Sequence, residues 1–216
     1  RWHAHHHRCA QMLANRLEPG VPGANARLAE HCIKAGRPDD ALEPLLSEIR
    51  LQIQRGELDW RRELLQRRAA LIDRLDYPAD SPPRLYQQLE ELRLALNDED
   101  LQTVETDTPD LYETAERLAD HELRAQTALL LTRLKRRKRD YERAETWARR
   151  AVDAAEEAGD DDLQVLGQLD VAWVYYLQAD PDGAEHHVRR AIDAAENAGD
   201  SLNLLRARRW LAWVIG

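Results

Sequence analysis

Apolar residues recur at spacings of three and four along nearly the whole chain, the period of an amphipathic helix, and no stretch shows the alternation of a half-buried strand. Trp2 to Leu17 carries Trp2, Cys9, Met12, Leu13 and Leu17 on such a pattern and stops at Glu18-Pro19-Gly20. Leu28, Ala29, Cys32 and Ile33 predict a short helix over Ala26–Ala35 that Gly36 closes, and Pro38-Asp39-Asp40 opens the next, with Pro in a tolerated first-turn place. That helix carries Leu42, Leu45, Leu46, Ile49 and Ile53, with a bend expected at Pro44. Leu58–Leu75 follows Gly56. Tyr77–Pro83, with three prolines, predicts a loop, and Arg84–Leu96 places Leu85, Leu89, Leu92 and Leu96 on one stripe. Leu101–Leu118 contains Pro109 and is expected to kink or split near Asp107–Asp110. Glu122–Arg137, Asp140–Ala158, Asp162–Leu177, Pro181–Ala198 and Leu202–Ile215 complete about eleven helices joined by short connections, which implies antiparallel neighbours.

The last segments repeat. Ala144–Asp160, AETWARRAVDAAEEAGD, returns forty residues later as AEHHVRRAIDAAENAGD, Ala184–Asp200, with twelve of seventeen positions identical. Each copy leads to the same word, Ala172-Trp173-Val174 and then Ala212-Trp213-Val214. A second shift of forty places Asp100 on Asp140, Glu105 on Glu145 and Asp120 on Asp160, so a degenerate unit precedes the regular ones. RRAALID at 67–73 lies close to two periods before RRAVDAA at 149–155. A fixed period of this length marks a stacked repeat in which each unit buries its apolar face on its neighbours. The fold expected is an all-α, right-handed α-solenoid of antiparallel helix pairs. Its parts are an N-terminal helix or cap at 1–23, irregular repeats at 24–83, and regular repeats at 84–216 whose last unit lacks its second helix.

Composition sharpens this. Ala, Leu, Arg and Glu dominate, Phe is absent, and the chain is a helix-former mixture. A net charge of −9 with 33% charged residues disfavours nucleic acid and anionic membranes as generic partners. Cys9 and Cys32 make no disulfide framework and fit a reducing, cytoplasmic setting. No run of eighteen apolar residues exists, so no membrane segment is expected.

Within the repeats, Val171-Ala172, Tyr175, Ala184, Val188 and Ala191 reproduce the large, small, aromatic, small, large, small frame of a tetratricopeptide repeat. Leu131, Ala144, Ala148 and Ala151 reproduce it one unit earlier, and Leu28-Ala29, Ala41 and Leu45 again near the start. The small residues let helix backbones approach while the large ones fill the grooves. On these residues the chain resembles the tetratricopeptide-repeat family over about 26–216. It departs in its period of forty rather than about thirty-four, and in Gly159-Asp160 and Gly199-Asp200 standing where a turn proline is usual. Repeats this long resemble the helical tails of bacterial multidomain signalling proteins, such as serine/threonine kinases and signal-transducing ATPases. The resemblance, with a first residue Arg1 rather than Met, implies a catalytic domain upstream. No kinase or nucleotide-binding motif occurs within the chain.

Candidate chemistry is sparse. His3 and His7 lie one helical turn apart, with His5, His6 and Cys9 beside them, a spacing able to hold zinc or nickel. A structural site needs two further ligands and no acid is near in sequence, so the cluster reads as a polar helix face, and no metal and no cofactor is assigned. His31-Cys32 reads as a surface histidine beside a core cysteine, and His186-His187 as a repeat-surface feature. The one basic run, Lys135–Arg139, sits at a helix C-terminus, where cations are favoured, and has no interleaved aromatics; it reads as a solvated turn. No Gly-rich phosphate loop, GxSxG, HExxH or CxxC occurs, and no catalytic residue is assigned.

The function expected is a protein-interaction scaffold whose concave surface or inter-repeat groove takes a protein or peptide, with anchors at Trp147, Arg149, Arg150, Arg189 and Arg190. Those arginines recur at one repeat position, so they form a stripe suited to an acidic partner, or else pair with Glu145 and Glu185 one turn earlier. The alternative is a sensor or self-association tail without activity of its own, and a nucleic-acid reader using the basic run ranks third. Trp210, Leu211, Trp213, Val214 and Ile215 would then form an apolar C-terminal face able to make a homodimer.

Overall fold

Eleven α-helices follow one another through the described residues. The computed structural model of the chain describes residues 1–16 and 20–215, leaving out the side chains of 53, 54 and 215. Leu17, Ile53 and Ile215, named above as apolar positions, therefore fall outside the described side chains. The helices are α1 (Trp2–Ala14), α2 (Ala24–Lys34), α3 (Leu42–Arg55), α4 (Leu58–Arg74), α5 (Pro82–Asn97), α6 (Leu101–Arg117), α7 (His121–Arg137), α8 (Tyr141–Ala158), α9 (Asp161–Leu177), α10 (Pro181–Ala198) and α11 (Ser201–Ile215). A 3-10 turn, Asp39–Ala41, leads into α3. No strand occurs among the described residues. No helix is long and apolar enough to cross a membrane among them.

The chain forms two compact units, Arg1–Leu94 and Ala95–Gly216, divided inside α5. In the N-terminal unit Ala29, Ala41, Leu45, Ile49, Leu64 and Ile72 form the centre of the core, all at 2% exposure or less. Two arginines of α4 lie among them. Arg61 is wholly buried and Arg68 is 2% exposed. Arg68 donates Nε to the Leu42 carbonyl at 3.1 Å and Nη1 to the Pro83 carbonyl and Gln87 Oε1 at 2.9 and 3.0 Å. Arg61 donates to the Glu90 carbonyl at 3.0 Å.

From α6 onward the turns follow a rule. Asp100, Asp120, Asp140, Asp160 and Asp180 are the N-caps of α6 to α10, each accepting from the backbone N–H three residues on. Asp200 does the same for α11, accepting from Leu202 and Asn203. The residue before each aspartate, Glu99, Ala119, Arg139, Gly159, Ala179 or Gly199, has positive φ between 54° and 68°. The aspartate N–H bonds back to the carbonyl five residues earlier in all six turns. This is the Schellman closure, and one aspartate both completes it and starts the next helix. Connections are thus two or three residues long, which folds successive helices antiparallel. Left-handed backbone costs a non-Gly residue about 1 kcal/mol or more. Ala119→Gly and Ala179→Gly should therefore each raise the unfolding midpoint in urea, by about 1 kcal/mol of stability, whereas Gly159→Ala should lower it.

The loop expected at Pro82 and Pro83 and the split expected at Pro109 do not occur. Pro82 and Pro83 are not loop but the first turn of α5, where a missing N–H costs nothing and Ser81 O accepts from Arg84 and Leu85. Pro109 neither splits nor ends α6, which runs unbroken through Leu101–Arg117. Its face of Val104, Thr108, Leu111, Tyr112 and Ala115 is buried, and Thr108 Oγ1 donates to the Val104 carbonyl beside the lost bond. Packing of one whole face outweighs one missing hydrogen bond there.

Candidate functional site

The C-terminal unit is built of α6, the helix pairs α7–α8 and α9–α10, and α11, and its two layers differ. Within it α7 touches α9 and α9 touches α11, whereas no comparable contact joins α8 to α10. The first helices of successive pairs are therefore the closer-packed layer. A small residue also brings successive pairs close. Gly167 on α9 faces Val152 of α8 so nearly that a Cβ there would lie 2.8 Å from Val152 Cγ2.

On the first layer lies an aromatic cluster outside the expected partner anchors, although its Trp210 and Trp213 were expected at the C-terminal face. Trp173 of α9 meets Trp210 of α11 edge-on at 4.5 Å and stacks with Trp213 at 5.8 Å between ring centroids. Tyr176 lies 4.2 Å from Trp213. Trp213 is 50% and Tyr176 37% exposed. The Arg136 guanidinium of α7 sits 5.0 Å over the Trp173 ring. It also donates to Asp170 Oδ1 at 3.0 Å, and Arg133 approaches Asp170 Oδ2 at 3.5 Å. Burial lowers the Arg136 pKa from its ordinary value, and Asp170 works against that shift. Positions 133, 173 and 213 share one register forty residues apart but read Arg, Trp, Trp.

The anchors named from the repeated word sit on the second layer. Trp147 of α8 packs edge-on against Tyr112 at 5.0 Å, and Arg150 lies 4.6 Å over its ring. Arg149 pairs with Glu145 at 3.0 Å and donates to the Tyr175 hydroxyl at 2.6 Å, which in turn donates to Glu145 at 2.9 Å. Although burial opposes it, hydrogen bonds from Tyr175 and Arg149 hold the Glu145 carboxyl below the usual range. Arg189 pairs with Glu185 at 2.5 Å, and Arg190 lies 3.9 Å from Glu156. The pairing one turn earlier thus exists at Arg149 and Arg189, while their side chains remain more than half exposed.

His187 is not a surface residue. It is 7% exposed, its Nδ1 lies 2.8 Å from Gln168 Oε1, and its ring stacks on Tyr175 at 5.3 Å. Burial above all, then the charges of Arg149 and its neighbours, push its pKa down to about 4. His186 beside it is exposed.

The N-terminal histidines fasten helices to one another. His3 Nδ1 lies 2.9 Å from the Lys34 carbonyl, His6 Nδ1 2.8 Å from His31 Nδ1, and His7 accepts from Arg37 at 3.3 Å. Among the described residues no group of three or more His, Cys, Asp or Glu is placed to hold a metal. Most of the basic run is engaged: Lys135 and Lys138 share Glu105, Arg136 pairs with Asp170, and Arg137 donates to the Leu96 carbonyl. These two lysines hold the Glu105 carboxyl down to about 2. At the C-terminal face, Trp210, Leu211 and Val214 pack inward on Val165, Leu169, Ala172 and Ala207. Leu202 and Leu205 are 59% and 67% exposed.

No protein-family model matches the chain, and no curated protein matches it in sequence. Among solved structures, the chain is similar to the crystal structure of BtubC (BKLC) from P. vanneervenii, with a TM-score of 0.61 and 15% identity over 97% of this chain and 82% of that one. At that identity the likeness speaks for the helical fold alone.

Proposed function

We propose that the chain is a partner-binding scaffold of tetratricopeptide-like repeats, and that the first layer of its C-terminal unit receives a protein or peptide segment. One observation carries the reading: Trp213 and Tyr176 stand half-exposed on a cluster with Trp173 and Trp210, beside an arginine held in place by Asp170. Rigid aromatic and arginine side chains presented together are the residues that dominate binding energy at protein interfaces. Binding without catalysis is the role proposed, in a cytoplasmic signalling protein of the kind the repeats resemble. The ion-paired basic run and a C-terminal unit with 16 Lys and Arg against 26 Asp and Glu favour a protein over a nucleic acid as partner.

A peptide-display selection against the whole chain tests this, followed by titration of the selected peptides against variants. Trp213→Ala is expected to weaken them tenfold or more, the loss of a hot-spot side chain, with Arg149→Ala and Arg189→Ala within about twofold. The opposite ranking would move the site to the second-layer stripe of Trp147, Arg149, Arg150, Arg189 and Arg190. A selection that enriches nothing would remove the reading.

Self-association is the second reading, favoured by the exposure of Leu205. Its counterpart forty residues earlier, Val165, is 1% exposed in the core between α9, α10 and α11. Sedimentation of the chain and of Leu205→Glu would show a dimer that the charge abolishes; a monomer in both would dispose of it.

A further inference from the structure

A cleft of about 310 Å³ opens between α8, α9 and α10, at the lower end of the range for ligand sites. Val152 and Val171 line it with Gln168 and His187, and Arg149 and Arg190 stand among its charged lining residues. The repeat shows what is missing from it. Moving back forty residues places Val152 on Tyr112, Val171 on Leu131, His187 on Trp147 and Arg190 on Arg150. In that earlier interval the indole of Trp147 packs against the Tyr112 ring and the Arg150 guanidinium covers it at 4.6 Å. In the later one Val152 and His187 replace those two side chains and the covering arginine remains; the Tyr175 ring packs on His187, Val152 and Val171 without lining the cleft. Arg190 has only a loose ion pair with Glu156, at 3.9 Å, and its side chain is 49% exposed.

We propose that this cleft is a receptor for a planar aromatic group of the indole class, which occupies the place of the earlier repeat's own tryptophan. The ring rests on Val152 and Val171, its edge meets the polar groups of His187 and Gln168, and Arg190 closes over its face as Arg150 does over Trp147. Cation–π contact of this kind supplies part of the binding, and burial of the ring supplies the rest. The group could be a free small molecule or the tryptophan side chain of a peptide, since both offer the same ring.

The test is ¹⁹F NMR of 5-fluoroindole, in parallel with competition by N-acetyltryptophanamide, on the whole chain. Saturable broadening of the fluoroindole signal is expected. Displacement by the amide points to a peptide side chain as the natural source, and its failure to displace points to a small molecule; either supports the cleft. His187→Trp should abolish binding by refilling the site, and Arg190→Ala should weaken it about threefold to thirtyfold. Arg150→Ala, at the filled interval, should leave it unchanged. Absence of saturable binding, or binding that survives His187→Trp, overturns the proposal. Where His187→Trp loses its helical circular dichroism, the arginine pair decides: equal effects of Arg190→Ala and Arg150→Ala also overturn it.

Discussion

Arg68→Ala is expected to destabilise the N-terminal unit by about 3 kcal/mol or more. The side chain is 2% exposed and donates to two backbone carbonyls and the Gln87 amide oxygen. Removing it leaves those acceptors buried, at about 1–3 kcal/mol for each that water cannot reach. Burial already lowers the Arg68 pKa to about 10, with Glu43 and Glu90 acting against the shift. Arg68→Lys should recover only part of the loss, because an ammonium cannot reproduce the planar fork that serves Leu42, Pro83 and Gln87 together. Urea denaturation checks this, and an alanine variant within 1 kcal/mol of the parent would mean that water reaches the site and the arginine is dispensable.

Acidification is expected to weaken the C-terminal unit through His187. Its pKa is about 4 in the folded chain against an ordinary 6.5. The unfolded chain therefore binds more protons between those values, so stability falls as pH drops through 6.5 and the loss is complete below about 4. The ceiling is about 3 kcal/mol. Asp162 acts in the opposite sense, its pKa raised by burial and by Asp200, so that protonation there favours the fold. The measurement is therefore a difference: stability at pH 7 and pH 4.5 for the parent and for His187→Gln. The variant should lose much less on acidification. Equal losses in both would show that His187 titrates as an ordinary histidine and that the cleft wall is wet.

The helices of the C-terminal unit were legible because turn chemistry and core pattern agree there. The word ending Ala-Gly-Asp closes α8 and α10, and Ala144, Ala148, Ala151, Ala184 and Ala191 mark buried faces on both. The proposed binding surface was not legible by the same means. Repetition draws attention to what is identical, and Arg149-Arg150 recur, whereas position 133 breaks the pattern that 173 and 213 continue. His187 shares its register with Trp147, a half-buried ring, yet two adjacent histidines read as surface until the depth of the cleft is seen. Arg68 is a sharper case. The shared word RRA places it with Arg150, which is exposed, but the carbonyls of Leu42 and Pro83 turn its side chain into the core. Those partners come from distant segments with no pattern in common. Proline misled twice, because its cost depends on whether an N–H was needed, and the buried face of α6 carried the helix past one that was.

The six aspartate turns recur every twenty residues, while the layers they connect recur every forty. Gain or loss of one helix would leave every cap intact and yet exchange inside for outside: alanine faces would stand where leucines belong, and the aromatic surface would turn away. Only changes of forty residues keep both in phase. The length of such a chain can therefore drift in evolution by whole pairs, and each added pair brings one more first-layer helix.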